Sequence, residues 1–129
     1  MDPRILVIDD EESLLDMLQA ALEMMGYEVV TVSSLAEGRR RALEGRFDLV
    51  LLDNHFPEGH SDALVPVLLE CLPNAPVVIV TANDTDEHVR NALRLGASQV
   101  LCKPFGLDEL EAVVKRHCGA AARQVSNVA

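Results

Sequence analysis

The sequence predicts an α/β fold: a doubly wound, five-stranded parallel sheet with helices on both faces. Two observations predict it. Five short apolar runs, mostly β-branched or Leu and mostly unbroken by polar residues, suit strands covered on both sides. Between them lie amphipathic segments with helical spacing and recognisable starts and stops. Strand and helix thus alternate five times, and right-handed crossovers leave few topologies for such a chain.

The first strand is Ile5-Leu6-Val7-Ile8. The first helix carries Leu14, Leu15, Leu18, Leu22 and Met25 at helical spacing and stops at Gly26. Glu11 and Glu12 stand near its N-terminus, where the helix dipole favours negative charge. Val29-Val30-Thr31-Val32 is the second strand. Ser34 and Glu37, at capping-box spacing, open a second helix that stops at Gly45. The third strand is Leu49-Val50-Leu51-Leu52. A third helix, roughly 62–72, contains Pro66, so it must start late or bend. Val77-Val78-Ile79-Val80 follows as a strand. The fourth helix opens Asp84-x-x-Glu87, carries Val89, Ala92 and Leu93, and stops at Gly96. The last strand is Val100-Leu101-Cys102, and the last helix places Leu110, Val113, Val114 and His117 on one face.

With 129 residues, 49 % of them hydrophobic, the chain can bury the core of one domain without metal or disulfide staples. That domain is expected over 1–118. The small, polar, aperiodic segment 119–129 reads as a tail or the start of a linker. No stretch approaches 18 apolar residues, which excludes a transmembrane helix, and the four-residue apolar run after Arg4 is too short for a signal peptide. Acidic side chains outnumber basic ones 21 to 11, for a formal charge of −10. Such a chain is repelled by a phosphate backbone, and its few aromatics (Tyr27, Phe47, Phe56 and Phe105) offer no stacking platform, so direct nucleic-acid binding is not expected. Cys71, Cys102 and Cys118 are odd in number and far apart, which suits reduced thiols in a cytoplasmic protein.

Open α/β sheets bind ligands at the C-terminal ends of their strands. Reading the residue after each apolar run gives Asp9 and Asp10, then Asp53, then Thr81, then Lys103 and Pro104. The second run ends in Ser33 and Ser34, already explained by helix capping. Three carboxylates gathered at one edge repel one another unless a cation joins them. All-oxygen donors select a hard ion, and a site with few protein ligands and open water positions suits Mg²⁺. Mg²⁺ beside a lysine places positive charge where phosphoryl oxygens would sit. A carboxylate can then act as nucleophile and form an acyl phosphate, with a hydroxyl on the neighbouring strand donating a hydrogen bond to it.

This set, Asp9-Asp10, Asp53, Thr81 and Lys103-Pro104, resembles the receiver domain of bacterial two-component response regulators, over residues 4 to about 116. The opening Ile-Leu-Val-Ile-Asp-Asp-Glu-Glu, the segment from Phe47 to Asp53 and Lys103-Pro104-Phe105 carry the likeness. The resemblance implies a flavodoxin-like (CheY-like) fold with strand order 2-1-3-4-5. It implies Asp53 as phosphoacceptor, Asp10 as a direct Mg²⁺ ligand, Asp9 as a water-mediated one and the His55 carbonyl as a third protein ligand. Thr81 takes the place of the switch hydroxyl and Lys103 that of the residue holding the phosphoryl group. The Lys103–Pro104 bond is expected to be cis, turning the chain so that the lysine aims inward. A histidine kinase or phosphotransfer protein would be the donor. The output surface, formed by the fourth helix, fifth strand and fifth helix, would bind a partner, a second receiver or an attached output domain. The only chemistry implied is self-catalysed phosphoryl transfer and autodephosphorylation, not turnover of a substrate.

The sequence departs from that pattern in places. Val100 stands where the family usually has an aromatic residue, Phe56-Pro57 replaces Met-Pro, and Ser61 replaces a glycine. By the same resemblance, His55 and Asn83 would occupy the positions that flank the path of the hydrolytic water. Val100 and Ser61 leave open a second reading, a degenerate receiver serving as a phosphorylation-independent interaction module. His55 and His60 lack a cysteine or a suitably spaced third histidine, so exposed loop histidines are favoured over a zinc site. A cobalamin motif starting at Asp53-x-His55 has its glycine one place late, at Gly59, and follows the wrong strand. A haloacid-dehalogenase-type phosphatase would need a second Asp at His55. Arg39-Arg40-Arg41 reads as a solvated helix face.

Overall fold

A computed structural model describes residues 2–119 of the chain, so the expected tail lies almost wholly outside the described residues. Five strands, β1 (Arg4–Ile8), β2 (Glu28–Val32), β3 (Leu49–Asp53), β4 (Val77–Thr81) and β5 (Gln99–Cys102), form one parallel sheet in the order β2-β1-β3-β4-β5. Five α-helices follow them in turn: α1 (Glu12–Met24), α2 (Leu35–Glu44), α3 (Leu64–Cys71), α4 (Glu87–Arg94) and α5 (Leu107–Val114). A two-residue-armed hairpin, His55–Phe56 against Gly59–His60, sits between β3 and α3.

The unbroken apolar runs conceal a period of two. Ile5, Val7, Leu49, Leu51, Val78 and Val80 face Leu15, Leu18 and Leu22 of α1 and Leu110, Val113 and Val114 of α5. Leu6, Ile8, Val50, Leu52, Val77 and Ile79 face the other way, onto Ala42 of α2, Val65 and Leu68 of α3, and Val89 and Ala92 of α4. Each fully buried Val, Leu or Ile contributes about 1.5–3 kcal/mol relative to exposure. The three central strands, buried on both faces, are therefore the rigid frame on which their C-terminal ends are carried. The edge strand β2 is only partly covered, with Val29 and Val30 half-buried.

Most helix boundaries follow the sequence signals. Gly26 and Gly96 take positive φ (96° and 119°) just past α1 and α4, where a side chain would be strained. Ser34 Oγ accepts from the Glu37 N–H at 3.1 Å and starts α2. Helix α3 starts late, at Leu64, so Pro66 falls in the first turn, where a missing N–H costs nothing. Two expectations fail. The fourth helix is capped by Asp86, not Asp84: its carboxylate accepts from the His88 N–H at 2.7 Å, while Asn83 caps the preceding turn at Thr85. At the end of α5 the backbone widens into a π-turn over Lys115–Gly119. The extra residue per turn carries Cys118 inward beneath Val114 and leaves His117 half-exposed, bonded to Gln99 Oε1 at 2.9 Å.

Candidate functional site

Parallel pairing brings the ends of β1 and β3 side by side, with Ile8 opposite Leu52, and so delivers Asp9 and Asp53 to the same spot. Both are buried, at 2 % and 7 % exposure, while Asp10 is exposed. One carboxylate oxygen from each of Asp9, Asp10 and Asp53 lies within 4.8 Å of the others. Lys103, from the end of β5, reaches across to them: its Nζ donates to Asp53 Oδ1 at 3.2 Å and to Asp9 Oδ2 at 3.4 Å. The Lys103–Pro104 peptide is cis, as expected.

The electrostatics are unbalanced. Burial, then the Asp9 charge, pushes the Asp53 carboxyl up from its ordinary range to about 6, against the pull of Lys103. Asp9 is also raised, by burial first, although its Oδ1 accepts from the Glu11 N–H at 2.9 Å. Burial alone would lower the ammonium pKa of Lys103, but Asp53 and Asp9 together hold it above the ordinary value. One ammonium thus faces three carboxylates. This all-oxygen donor set, short of positive charge, suits a hard divalent cation.

Thr81 ends β4 beside this cluster, one residue past Val80, the register partner of Asp53. Its hydroxyl is engaged elsewhere: Oγ1 accepts from the Asn83 N–H at 3.1 Å and donates to the Asn83 carbonyl at 3.2 Å. Ser61, where a glycine was expected, donates its hydroxyl to the Asp53 carbonyl at 2.6 Å, and its N–H donates to Asn54 O. It is buried at 1 % exposure, so it clamps the hairpin onto the chain directly behind Asp53. The Asn54–Ser61 bond makes His55–His60 a non-hydrogen-bonded pair, whose own backbone groups point away from the opposite arm. The His55 carbonyl is therefore not used within the hairpin. Val100 is half-buried and packs on the α2–α3–α4 side of the sheet.

The fold also assembles a polar group that no spacing in the sequence reveals. His88 and Asn91, on α4, both bond Asp62 Oδ2, at 3.1 and 2.9 Å. His60 of the hairpin stacks on His88 with ring centroids 3.6 Å apart and an interplanar angle of 12°. The spacing of His88 and Asn91 puts them on one helix face, but nothing in the sequence joins that face to Asp62, 26 residues before His88.

Comparison with known proteins agrees with this geometry. The family model described as the response regulator receiver domain matches residues 5–115. The transcriptional regulatory protein CrdR of Helicobacter pylori is 38 % identical over 117 residues, covering 90 % of this chain and 55 % of CrdR. A response regulator from Burkholderia pseudomallei, crystallised with a phosphorylated aspartic acid, calcium and citrate, superposes with a TM-score of 0.82 at 25 % identity. That match covers 99 % of this chain and 74 % of the other. The receiver domain of the sensor histidine kinase PA1611 from Pseudomonas aeruginosa, with magnesium in its active-site cleft, superposes with a TM-score of 0.80 at 26 % identity, covering 92 % and 99 % of the two chains. The chain spans about half the length of the curated relatives it matches.

Proposed function

Since the chain belongs to the response regulator receiver domain family, we propose that it accepts a phosphoryl group on Asp53 in a Mg²⁺-dependent reaction and thereby switches an output surface. The observation that carries this reading is the sharing of one lysine Nζ between buried Asp53 and Asp9, with Asp10 beside them. A phosphorylated aspartate in one similar structure and magnesium in another support it.

Asp10 and Asp53 would hold the ion directly, with the His55 carbonyl, and Asp9 through water. The ion would supply positive charge to offset the carboxylates and the incoming phosphoryl oxygens. An Asp53 carboxylate oxygen attacks phosphorus as the bond to the donor breaks, and the electron pair leaves with the donor, a phosphohistidine of a kinase or phosphotransfer protein. Lys103 already lies 3.2 Å from Asp53 Oδ1 and holds an oxygen of the new group. Thr81 must release Asn83 to donate its hydroxyl to the phosphoryl group, which loosens the turn leading into α4. Two alternative partners for one hydroxyl make a two-state element that phosphorylation biases.

The altered surface is that of α4, β5 and α5, where Leu93, Leu95 and Leu107 are exposed. Its partner is an output domain, a second receiver or another protein, in the cytoplasm. The domain acts on itself and turns over no separate substrate. Among the described residues no helix is long and apolar enough to cross a membrane.

The test is intact-protein mass spectrometry after incubation with acetyl phosphate and Mg²⁺. The expected result is a gain of one phosphate, absent in Asp53→Asn and with EDTA. A folded protein that gains none, from acetyl phosphate or from a kinase, is instead a phosphorylation-independent interaction module.

A further inference from the structure

We propose that His60, His88 and Asp86 form a binding site for a divalent transition ion of the Zn²⁺ class, separate from the acidic cluster and joining the hairpin after β3 to the start of α4. One ligand atom from each of the three lies within 4.8 Å of the other two, and all three residues are half-buried. A tetrahedral site with bonds of about 2.0 Å holds its ligands about 3.3 Å apart. The gap closes by rotation of the two partly exposed imidazoles, which are already in contact.

The surroundings favour ligation over a plain stack. His88 Nδ1 bonds Asp62 Oδ2, which selects the tautomer with its proton on Nδ1 and leaves the Nε2 lone pair for an ion. Asp62 is itself held by Asn91 Nδ2 at 2.9 Å. A carboxylate behind a ligating histidine is the usual arrangement that orients the ring and raises its basicity. Asp86 uses Oδ1 to cap α4 and keeps Oδ2 available. Two imidazoles and one carboxylate leave a fourth position for water. Imidazole donors select Zn²⁺, Ni²⁺ or Cu²⁺, whereas Mg²⁺ prefers the all-oxygen cluster at Asp9, Asp10 and Asp53. The two sites therefore separate by ion type.

The proposal is tested by titrating ZnCl₂ into the untagged, metal-free 129-residue chain in excess MgCl₂, read by calorimetry, and by following the visible absorption of Co²⁺ in its place. We expect one Zn²⁺ per chain and tetrahedral-type Co²⁺ bands. Binding should fall at least about tenfold in His60→Gln and in His88→Gln, with Asp53→Asn unchanged. Asp86→Asn, whose amide still caps α4, should weaken binding in the same way. Circular dichroism confirms that each variant is folded. Wild-type affinity in either histidine variant or in Asp86→Asn, loss of binding in Asp53→Asn, or no Zn²⁺ binding by the parent chain would each overturn the site.

Discussion

Two clusters flank the loop that leaves β3, and they are built on opposite principles. Asp9, Asp53 and Lys103 are delivered by strand ends, are largely buried, and carry more like charge than their one cation offsets. Asp62, His88 and Asn91 meet between a loop and α4, Asp62 buried and the other two half-exposed; they are complementary, each polar group answering another. The first cluster persists because the packed sheet holds its carboxylates together against their repulsion. The second persists because its members attract. A site that must gain a cation or a phosphoryl group needs the first kind of construction, since its unbalanced charge is relieved only by ligand.

The contrast can be broken most directly at Lys103. Lys103→Ala removes the ammonium shared by Asp9 and Asp53, and phosphoryl gain from acetyl phosphate should slow by about 100-fold or more in timed mass spectra. An unchanged rate would mean the cation does not serve the reaction.

Next is stability without Mg²⁺. Asp53 titrates at about 6 in the fold, above its ordinary value of 3.8. Its folded form therefore holds the proton more tightly than the unfolded chain does. That stabilisation is full below about pH 4 and is lost as pH rises through about 6, on the order of 3 kcal/mol. Urea unfolding between pH 4 and 7 should show wild type losing stability relative to Asp53→Asn. Added Mg²⁺ at pH 7 should restore it in wild type only. A parallel course of the two proteins would remove the claim of stored repulsion.

A smaller effect is expected at Ser61. Ser61→Ala loses the bond to the Asp53 carbonyl and should cost about 1 kcal/mol in denaturant unfolding. Phosphorylation should persist, more slowly, if the hydroxyl only steadies the loop.

The smallest effect belongs to the second cluster, and its sign is reversed. Burial alone would raise the Asp62 pKa, but Asn91 and His88 hold its carboxyl below the ordinary value. Its contribution is present above about pH 4 and fades as pH falls through that lowered pKa. The hydrogen bond that His88 donates to Asp62, opposed by desolvation, holds His88 above its ordinary pKa. In Asp62→Asn the His88 titration, followed by NMR, should move down towards that of a free histidine, with a stability loss below that of Ser61→Ala. An unmoved His88 would dissolve the contrast between the clusters.

The sheet, and what stands at its strand ends, could be read from the chain alone. Apolar runs separated by amphipathic helices allow few connections, so the residue after each run falls on one edge: Asp9, Asp10, Asp53, Thr81 and Lys103 were legible for that reason. Tertiary structure alone decided the rest. It set α4 to begin at Asp86, widened the end of α5 so that Cys118 turned inward instead of His117, and gave the Thr81 hydroxyl to Asn83. It also supplied the third histidine whose apparent lack argued against a metal at His55 and His60, by stacking His88 on His60. The difference is one of range. Strand-end positions follow from a local period and the order of the chain, whereas contacts between a loop and a helix depend on how the core seats that helix, which no local pattern encodes.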